Sequence, residues 1–157
     1  MKRAICLFCF AALLTGLCGC DKKYGAFTLA PFTCEVQLVN GEKICEGIFS
    51  FEGRERMQLD FLSGEEIEGL KVCYENGGCR YTYDGITVTA DTTGFSTPAN
   101  GIFSAIGLLT DSGGEITDGK YKIIDNGVEY TYNIDIRDNR LTQIESTFGK
   151  IVFKYDQ

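Results

Sequence analysis

Cysteine is the residue type in this sequence that is best suited to covalent chemistry, and its placement is uneven. Four of the eight cysteines lie within the first 20 residues, where the stretch Leu17-Cys18-Gly19-Cys20 ends an apolar run. The sequence contains no histidine, so neither a Ser-His-Asp nor a Cys-His catalytic arrangement can form. The cysteines are therefore candidates for modification or for disulfide formation. The remaining four are Cys34, Cys45, Cys73 and Cys79.

The first 19 residues have the composition of an export signal. Lys2 and Arg3 precede an apolar run from Ala4 to Leu17, and small residues follow. This order is typical of a secretory signal peptide. A membrane-spanning helix would need about 20 apolar residues, which is more than the run supplies. We interpret the Cys6-x-x-Cys9 pair inside the run as two small apolar residues, and we expect residues 1–19 to be cleaved.

The end of this signal resembles the lipobox of bacterial lipoproteins. The resemblance implies that Cys20 receives a thioether-linked diacylglyceryl group and becomes the first residue of the mature protein. Cys18 departs from the Ala, Ser or Thr that is usual at its position, so an ordinary cleaved signal is the alternative. Each buried methylene contributes about 0.8 kcal/mol, and two acyl chains hold a protein stably. We expect residues 20–31 to be a lipidated cysteine and tether, on the extracytoplasmic face of the cell membrane.

The charge of the chain limits its partners. Lys2 and Arg3 leave with the signal, which takes the net charge from −7 to −9. An acidic surface argues against nucleic acid, whose phosphates are bound by clustered Lys and Arg. Without histidine, and without C-x-x-C spacing in the mature chain, we expect no metal site and no cofactor. The expected partners are the membrane through the lipid on Cys20, an apolar small molecule or lipid, or an envelope protein.

From Phe32 onward the sequence alternates apolar and polar residues, with breaks at glycine-containing turns. A period of two is typical of β-strands, and Asn-Gly or Asp-Gly suits the type I′ turn of a two-residue hairpin. The sequence predicts one mainly β (α+β) domain over residues 32–157, an antiparallel meander. The predicted turns include Asn40-Gly41, Asn76-Gly77, Asp84-Gly85 and Asn126-Gly127.

These turns predict which residues face each other across neighbouring strands, because register follows from turn geometry. All of the expected pairs are apolar and lie on one face, as a half-buried sheet requires. The predicted pairs are Tyr83–Ile86, Tyr81–Val88, Val72–Tyr81, Leu70–Tyr83, Ile123–Tyr130, Tyr121–Tyr132 and Ile134–Ile144.

One helix interrupts the strands. Thr97 and Pro98 suit the cap and first position of a helix, and Gly113-Gly114 supplies a stop. Gly101 and Gly107 each weaken a helix by about 1 kcal/mol relative to Ala, so this one needs the sheet for support. The sequence predicts a helix over residues 98–110 that packs across the concave face of the sheet. Its apolar residues, at helical spacing, are Ile102, Phe103, Ile106 and Leu109.

The four cysteines of the domain leave several disulfide states open. The hairpins suggest Cys34–Cys45 and Cys73–Cys79, with Cys45 expected opposite Val36 and Cys34 diagonal to it. Cys73 and Cys79 are expected on opposite faces of their hairpin if Asn76-Gly77 is the turn; they would face each other only with a longer loop, Glu75-Asn76-Gly77, which would disrupt the Val72–Tyr81 pair. A disulfide requires Cα atoms within about 7 Å and aligned Cβ directions. Two disulfides, one disulfide and free thiols all remain open at this point.

The order of elements resembles the Lol-type lipoprotein carrier fold of periplasmic lipoprotein chaperones and related mycobacterial lipoproteins. This resemblance implies a strongly curved half-barrel with an apolar helical lid between its halves. A lipobox departs from the soluble carriers and is closer to membrane-anchored receptors. No functional residue of the family can be transferred to a position here. The similar stretches are 47–51, 57–61, the Asp84-Gly85 turn, and Thr97-Pro98 with Ile102 to Leu109.

The leading hypothesis is an apolar ligand, such as an acyl chain or lipid, bound between sheet and helix. The alternative is that the same residues are only the core beneath the helix. A second hypothesis is an envelope protein–protein interaction module without a ligand cavity, which binds through strand edges or its acidic surface. The candidate ligand-binding residues are Phe49, Phe51, Leu59, Phe61, Leu70, Val72, Tyr81, Tyr83, Ile102, Phe103 and Ile106.

An enzyme is the third and weakest class. Glu65, Glu66 and Glu68 could in principle supply paired carboxylates for acid–base catalysis. Their position directly after Ser63-Gly64 is more typical of a solvated turn. We therefore expect no catalytic residues.

Overall fold

The computed structural model describes residues 28–91, 98–112 and 116–156. The expected signal peptide, Cys20 and the tether as far as residue 27 lie outside these ranges. The same is true of the predicted cap Thr97 and the predicted stop Gly113-Gly114. Within the described ranges, no helix is both long enough and apolar enough to cross a bilayer.

Ten antiparallel strands form one sheet in the described part of the chain. Their order across the sheet is β6-β5-β4-β3-β2-β1-β10-β9-β8-β7. The first six strands form one meander and the last four form another, and β1 and β10 join them at the centre. Within the described ranges, strands β6 and β7 are the two free edges, so the sheet is not closed into a barrel. The strands are β1 (Phe32–Asn40), β2 (Lys43–Gly53), β3 (Arg56–Phe61), β4 (Lys71–Glu75), β5 (Gly78–Tyr83), β6 (Ile86–Asp91), β7 (Lys120–Asp125), β8 (Val128–Asp135), β9 (Arg140–Ser146) and β10 (Gly149–Lys154).

A single helix, α1 (Pro98–Ser112), lies between β6 and β7 in the chain, among the residues described. It therefore connects the two opposite edges of the sheet and ends two residues later than predicted. The predicted fold class, a mainly β antiparallel meander with one helix, is confirmed. The buried residues of α1 are Ala99, Ile102, Phe103, Ala105, Ile106 and Leu109.

The contacts of α1 show that the sheet curves around it. The Tyr81 hydroxyl on β5 contacts Asn100, and the Tyr132 hydroxyl on β8 contacts Ala105. On a flat sheet β5 and β8 would be about 34 Å apart, at about 4.8 Å per strand. Asn100 and Ala105 are only about 7.5 Å apart along the helix axis. Because side chains stand roughly perpendicular to a sheet, they cannot span this difference. The helix therefore lies on a concave face.

Most of the predicted registers are confirmed. Asp84 and Gly85 both have positive φ, 47° and 78°, as a type I′ turn requires. Leu70 is an exception, because it precedes β4 and its amide donates to the carbonyl of Ile67. The confirmed pairs are Tyr83–Ile86, Tyr81–Val88, Val72–Tyr81, Ile123–Tyr130 and Tyr121–Tyr132.

The predicted Ile134–Ile144 pair is wrong because β9 contains an irregularity. The register shifts between Asn133 and Ile134, so Ile144 faces Tyr132 and Ile134 faces Leu141. Thr142 is the extra residue, and its Oγ1 donates to the carbonyl of Asn133 at 3.0 Å. One additional residue in a strand is the definition of a β-bulge, and here it leaves Leu141 and Ile144, three residues apart, both buried.

All four cysteines of the described domain are free thiols, so neither suggested disulfide is present. Asn40 faces Lys43, which puts Cys45 opposite Leu38 instead of Val36. Cys34 is four residues from Leu38 along β1, about 13 Å away and beyond disulfide reach. Cys73 on β4 is opposite Arg80, and Cys79 on β5 is opposite Tyr74. Because neighbouring pairs of a ladder point to opposite faces, the two cysteines lie on opposite faces of the sheet.

Candidate functional site

The candidate site is the apolar interior between α1 and the concave face of the sheet. Eight of the predicted ligand-binding residues lie in this interior and are buried. Leu70 and Tyr81 are half-buried at its margin, and Tyr83 is 55% exposed. The structure thus brings most of the predicted set together as part of the hydrophobic core. The eight buried residues are Phe49, Phe51, Leu59, Phe61, Val72, Ile102, Phe103 and Ile106.

The second half of the sheet contributes interior residues that were not among the predicted site residues. Tyr132 on β8 is fully buried, as is Leu141 on β9. Apolar and polar residues alternate regularly along β8, so the sequence identified a strand there. It did not show that this strand faces α1. That could be known only from the order of strands across the sheet. The other buried residues of this half are Ile134, Ile144 and Phe153.

Aromatic rings line the interior where α1 meets the centre of the sheet. Phe103 of α1 lies 6.3 Å from Phe49 on β2 and 6.0 Å from Tyr74 on β4, measured between ring centroids. The ring centroid of Phe32 on β1 lies 5.7 Å from that of Phe49 and 5.7 Å from that of Tyr155. Aromatic pairs at such spacings add about 0.5–1.5 kcal/mol each beyond the burial of their area. The helix is therefore held mainly by apolar packing.

Polar contacts between α1 and the sheet are few among the described residues. The Tyr132 hydroxyl donates to the Ala105 carbonyl at 2.8 Å, and the Tyr81 hydroxyl donates to Asn100 Oδ1 at 3.1 Å. Near the end of the helix, Arg54 Nη2 lies 2.8 Å from Asp111 Oδ2 in an exposed ion pair. No charged or hydrophilic residue is buried in the part of the chain that the structure describes. The interior is accordingly uncharged.

Burial shifts the titration of several groups in and around this interior. Desolvation raises the pKa of the Cys34 thiol to about 12 and also raises the pKa of Cys79. It raises the pKa of the Tyr132 and Tyr155 hydroxyls as well, since burial disfavours their charged forms. These groups stay protonated at neutral pH, and protonated thiols are weak nucleophiles.

The acidic residues considered for catalysis lie away from this interior. Glu65, Glu66 and Glu68 are exposed in the turn between β3 and β4. The amides of Ile67 and Glu68 both donate to the Gly64 carbonyl at 3.1 Å, which closes the turn. Over the described ranges, no three His, Cys, Asp or Glu side chains cluster as metal ligands would. That the chain is not an enzyme stays a prediction.

Exposed apolar residues gather at one end of the sheet, which we call the distal rim. This end is opposite the start of β1 and holds the turns after β1, β3, β5, β7 and β9. Each of these turns carries at least one large exposed apolar side chain in or beside it. The residues of the distal rim are Ile44, Leu62, Tyr83, Ile86, Ile124 and Phe148.

Comparison with known proteins supports the fold and not a specific activity. No protein-family model matches the chain, and no curated protein matches it. An uncharacterized conserved protein from Thermus thermophilus aligns with a TM-score of 0.51 and 12% identity, over 82% of this chain and 80% of its own. A LolA superfamily protein from Nitrosomonas europaea aligns with a TM-score of 0.38 and 10% identity, over 77% of this chain and 66% of its own. The second structure comes from the superfamily that the sequence resembles, but its TM-score is too low to support an argument.

Proposed function

We propose that this protein is a membrane-anchored extracytoplasmic lipoprotein that binds an acyl chain or lipid between α1 and the sheet. The observation that carries the proposal is the construction of the interior. A helix with six buried apolar residues lies across a curved, uncharged sheet face, and a few polar contacts hold it there. A ligand that replaces the packing of this helix must itself be apolar.

The energetics favour separation of α1 from the sheet over unfolding of the sheet. Each of the two tyrosine hydrogen bonds contributes about 1 kcal/mol, and the exposed Arg54–Asp111 pair contributes less than about 1 kcal/mol. Gly101 and Gly107 lower the intrinsic stability of the helix further. Most of the cost of opening is therefore the exposure of apolar side chains. An acyl chain that enters the gap would cover them again and offset this cost.

The anchor in this proposal is the lipid on Cys20. Thr28 is close to the turn between β8 and β9, because its carbonyl accepts a hydrogen bond from Asn139 Nδ2 at 3.3 Å. Cys20 is eight residues away in the sequence, a reach of at most about 28 Å. In the anchored protein Thr28 is therefore within about 28 Å of the lipidated cysteine.

Native mass spectrometry of the full chain, purified from its own membranes in mild detergent, tests this proposal. We expect a diacylglyceryl mass on Cys20 and a second, noncovalent apolar molecule per chain. The control is Cys20→Ser, which should lose the covalent lipid and membrane attachment but still bind an added fatty acid. If neither chain carries or takes up an apolar molecule, ligand binding is wrong. If wild-type Cys20 is unmodified, the anchor is wrong.

The distal rim favours a second candidate function, an envelope interaction module. Phe148 and Leu62 are both more than half exposed on separate turns of this rim, and exposed apolar clusters mark interaction sites. Affinity purification from detergent-solubilised membranes distinguishes the two functions. A stoichiometric partner protein that is lost in a Leu62→Ser/Phe148→Ser double variant, with no lipid copurifying, would favour the module.

A further inference from the structure

The two free edges of the sheet are protected differently. Strand β7 carries Lys120 and Lys122, and Lys122 pairs with Glu129 at 2.6 Å. Strand β6 begins Ile-Thr-Val-Thr-Ala, with no charged residue, no proline and a regular register along β5. Proteins usually guard a free edge with lysine, proline or a bulge, because its unpaired backbone groups pair with other strands. This stretch of β6 lacks these guards.

The hairpin geometry shows which backbone groups of β6 are unpaired. Tyr83 and Ile86 flank a two-residue turn and are opposite each other, so they exchange hydrogen bonds. Hydrogen-bonded and non-hydrogen-bonded pairs alternate along an antiparallel ladder, so Val88 also bonds toward β5. The amide and carbonyl groups of Thr87 and Thr89 then point away from the sheet, where a further strand would bind.

The side chains of β6 divide by face. Ile86 and Val88 lie on the same face as Tyr81 and Tyr83, with which they pair, and that face continues into the interior beneath α1. They are nevertheless 69% and 49% exposed. Thr87 lies on the other face, where its hydroxyl oxygen is 3.1 Å from that of Thr82, a hydrogen-bonding distance. Among the residues that the structure describes, none covers the end of this apolar face at β6.

We propose that β6 pairs antiparallel with β6 of a second copy of this chain, about a two-fold axis at Val88. In this register Val88 faces its own counterpart, Thr87 faces Thr89, and Ile86 faces Ala90. A two-fold interface must be self-complementary, and this strand is: aliphatic residues meet aliphatic residues and threonines meet threonines. None of these pairs brings like charges together. The outward backbone groups of Thr87 and Thr89 bond each other across the axis.

A second copy fits this edge better than a charged extended peptide does. The paired stretch offers no charged side chain that would select such a peptide, whereas each exposed aliphatic residue gains an aliphatic neighbour in the two-fold register. The copies repel at long range, since each chain is acidic, with a net charge of −7 that becomes −9 once residues 1–19 are removed. Added salt screens this repulsion, so the dimer is expected to tighten with salt.

Cysteine cross-linking of the full chain in its own membranes tests the register. Val88 would form a non-hydrogen-bonded pair with Cα atoms about 4.5 Å apart, which a disulfide accommodates. Val88→Cys should therefore give an oxidant-dependent, reducible dimer linked through residue 88. Thr87→Cys is the matched control, because its two copies would be diagonal, about 7–8 Å apart, and should not link. Wild type treated in parallel accounts for the native thiols.

Sedimentation of the full chain in detergent provides a second measurement with a different variant. Val88→Lys places two ammonium groups at the axis and should weaken dimerization at least tenfold. Ile124→Lys, at an exposed aliphatic residue of the other edge strand, β7, should leave dimerization unchanged. A wild type that stays monomeric at every attainable concentration would overturn the proposal. So would linkage of Val88→Cys to another protein only, or equal cross-linking of both cysteine variants.

Discussion

The hydroxyl of Tyr132, on β8, donates a hydrogen bond of 2.8 Å to the carbonyl oxygen of Ala105, in the middle of α1. Tyr132 is fully buried, and the bond joins the helix to the half of the sheet that follows it in the chain. On the other half, Tyr81 makes the corresponding contact with Asn100. These two tyrosines bracket α1 across the concave face, so they are the natural positions at which to test its closure.

Replacement of Tyr132 by phenylalanine should loosen α1 without disturbing the sheet. The variant loses one buried hydrogen bond and keeps its ring, so we expect a loss of about 1 kcal/mol in the free energy of unfolding. Hydrogen exchange should accelerate in α1 more than in β1 or β10. Urea unfolding and exchange mass spectrometry measure the two effects. Tyr83→Phe, at an exposed tyrosine, is the control and should change neither. Equal acceleration throughout the sheet would contradict the role assigned to Tyr132.

Alkaline pH should destabilise the fold through its buried tyrosines. Burial raises the pKa of Tyr132 above the ordinary value of 10.0, so the folded state retains a proton that the unfolded state releases. The stabilisation is complete below pH 10 and is lost as the pH rises through the raised pKa. Above pH 10 the slope approaches about 1.4 kcal/mol per pH unit for such a group.

The pH dependence of urea unfolding across the alkaline range tests this assignment. The Tyr132→Phe variant should show a shallower decline than wild type above the ordinary tyrosine pKa, because it lacks one of the titrating groups. Tyr155, whose pKa burial also raises, should account for part of the slope that remains. Parallel curves for wild type and variant in this range would mean that Tyr132 is accessible to solvent in the folded protein.

The helix glycines offer a way to stabilise closure. An added Cβ at Gly101 or Gly107 meets no atom within 4 Å. Each Gly→Ala change should therefore raise the free energy of unfolding by about 1 kcal/mol, through helix propensity and a restricted unfolded chain. Gly47 is the contrast, because an added Cβ would lie 2.6 Å from the backbone oxygen of Asp60. Gly47→Ala should destabilise, and thermal unfolding should rank the three variants in this way.

The free thiols can report on the movement of α1. Cys79 is buried, and its Sγ lies 3.9 Å from Asn100 Oδ1 on the helix, whereas Cys45 and Cys73 are half-buried. A thiol reagent should label Cys45 and Cys73 first, and should reach Cys79 only when α1 moves. Gly101→Ala should slow the labelling of Cys79 and leave Cys73 unaffected. Labelling of Cys79 as fast as Cys73 would show that α1 does not shield it.

Hairpin turns explain why much of the sheet could be predicted. Asp84-Gly85 and Asn126-Gly127 each require positive φ at two successive positions, and few residue pairs other than these tolerate it. Once such a turn is placed, the side-chain period of two fixes the register of both strands. The helix was predictable for a similar local reason, because Pro98 and the spacing of Ile102 and Ile106 are signals within one segment.

The failures arise where a local pattern permits more than one register, or where the answer depends on which elements meet. Asn40-Gly41 contains a good turn pair, but the turn residues are Gly41 and Glu42, and this shift moves Cys45 away from Cys34. The bulge at Thr142 puts two polar residues between the apolar residues Leu141 and Ile144, but the register that results also depends on the partner strand β8. The contribution of Tyr132 to the interior follows from the order of strands, because β8 reaches α1 only through the curvature of the sheet. Sequence patterns identify faces, but they do not reveal which faces meet.

A reversible lock between α1 and the sheet tests the central claim most directly. Asn100→Cys places a thiol beside Cys79 Sγ, which lies 3.9 Å from the Asn100 side chain, so oxidation should join helix and sheet. The readout is binding of a dansyl-labelled fluorescent fatty acid to the full chain in mild detergent. Wild type in the same oxidant and reductant is the control.

We expect the oxidised Asn100→Cys variant to lose at least tenfold in affinity for this fatty acid, and the reductant to restore it, while wild type binds equally in both conditions. Mass spectrometry of the disulfide between Cys79 and the introduced thiol confirms that the lock has closed. Undiminished binding to the fully locked protein would contradict the claim that an apolar ligand enters between α1 and the sheet.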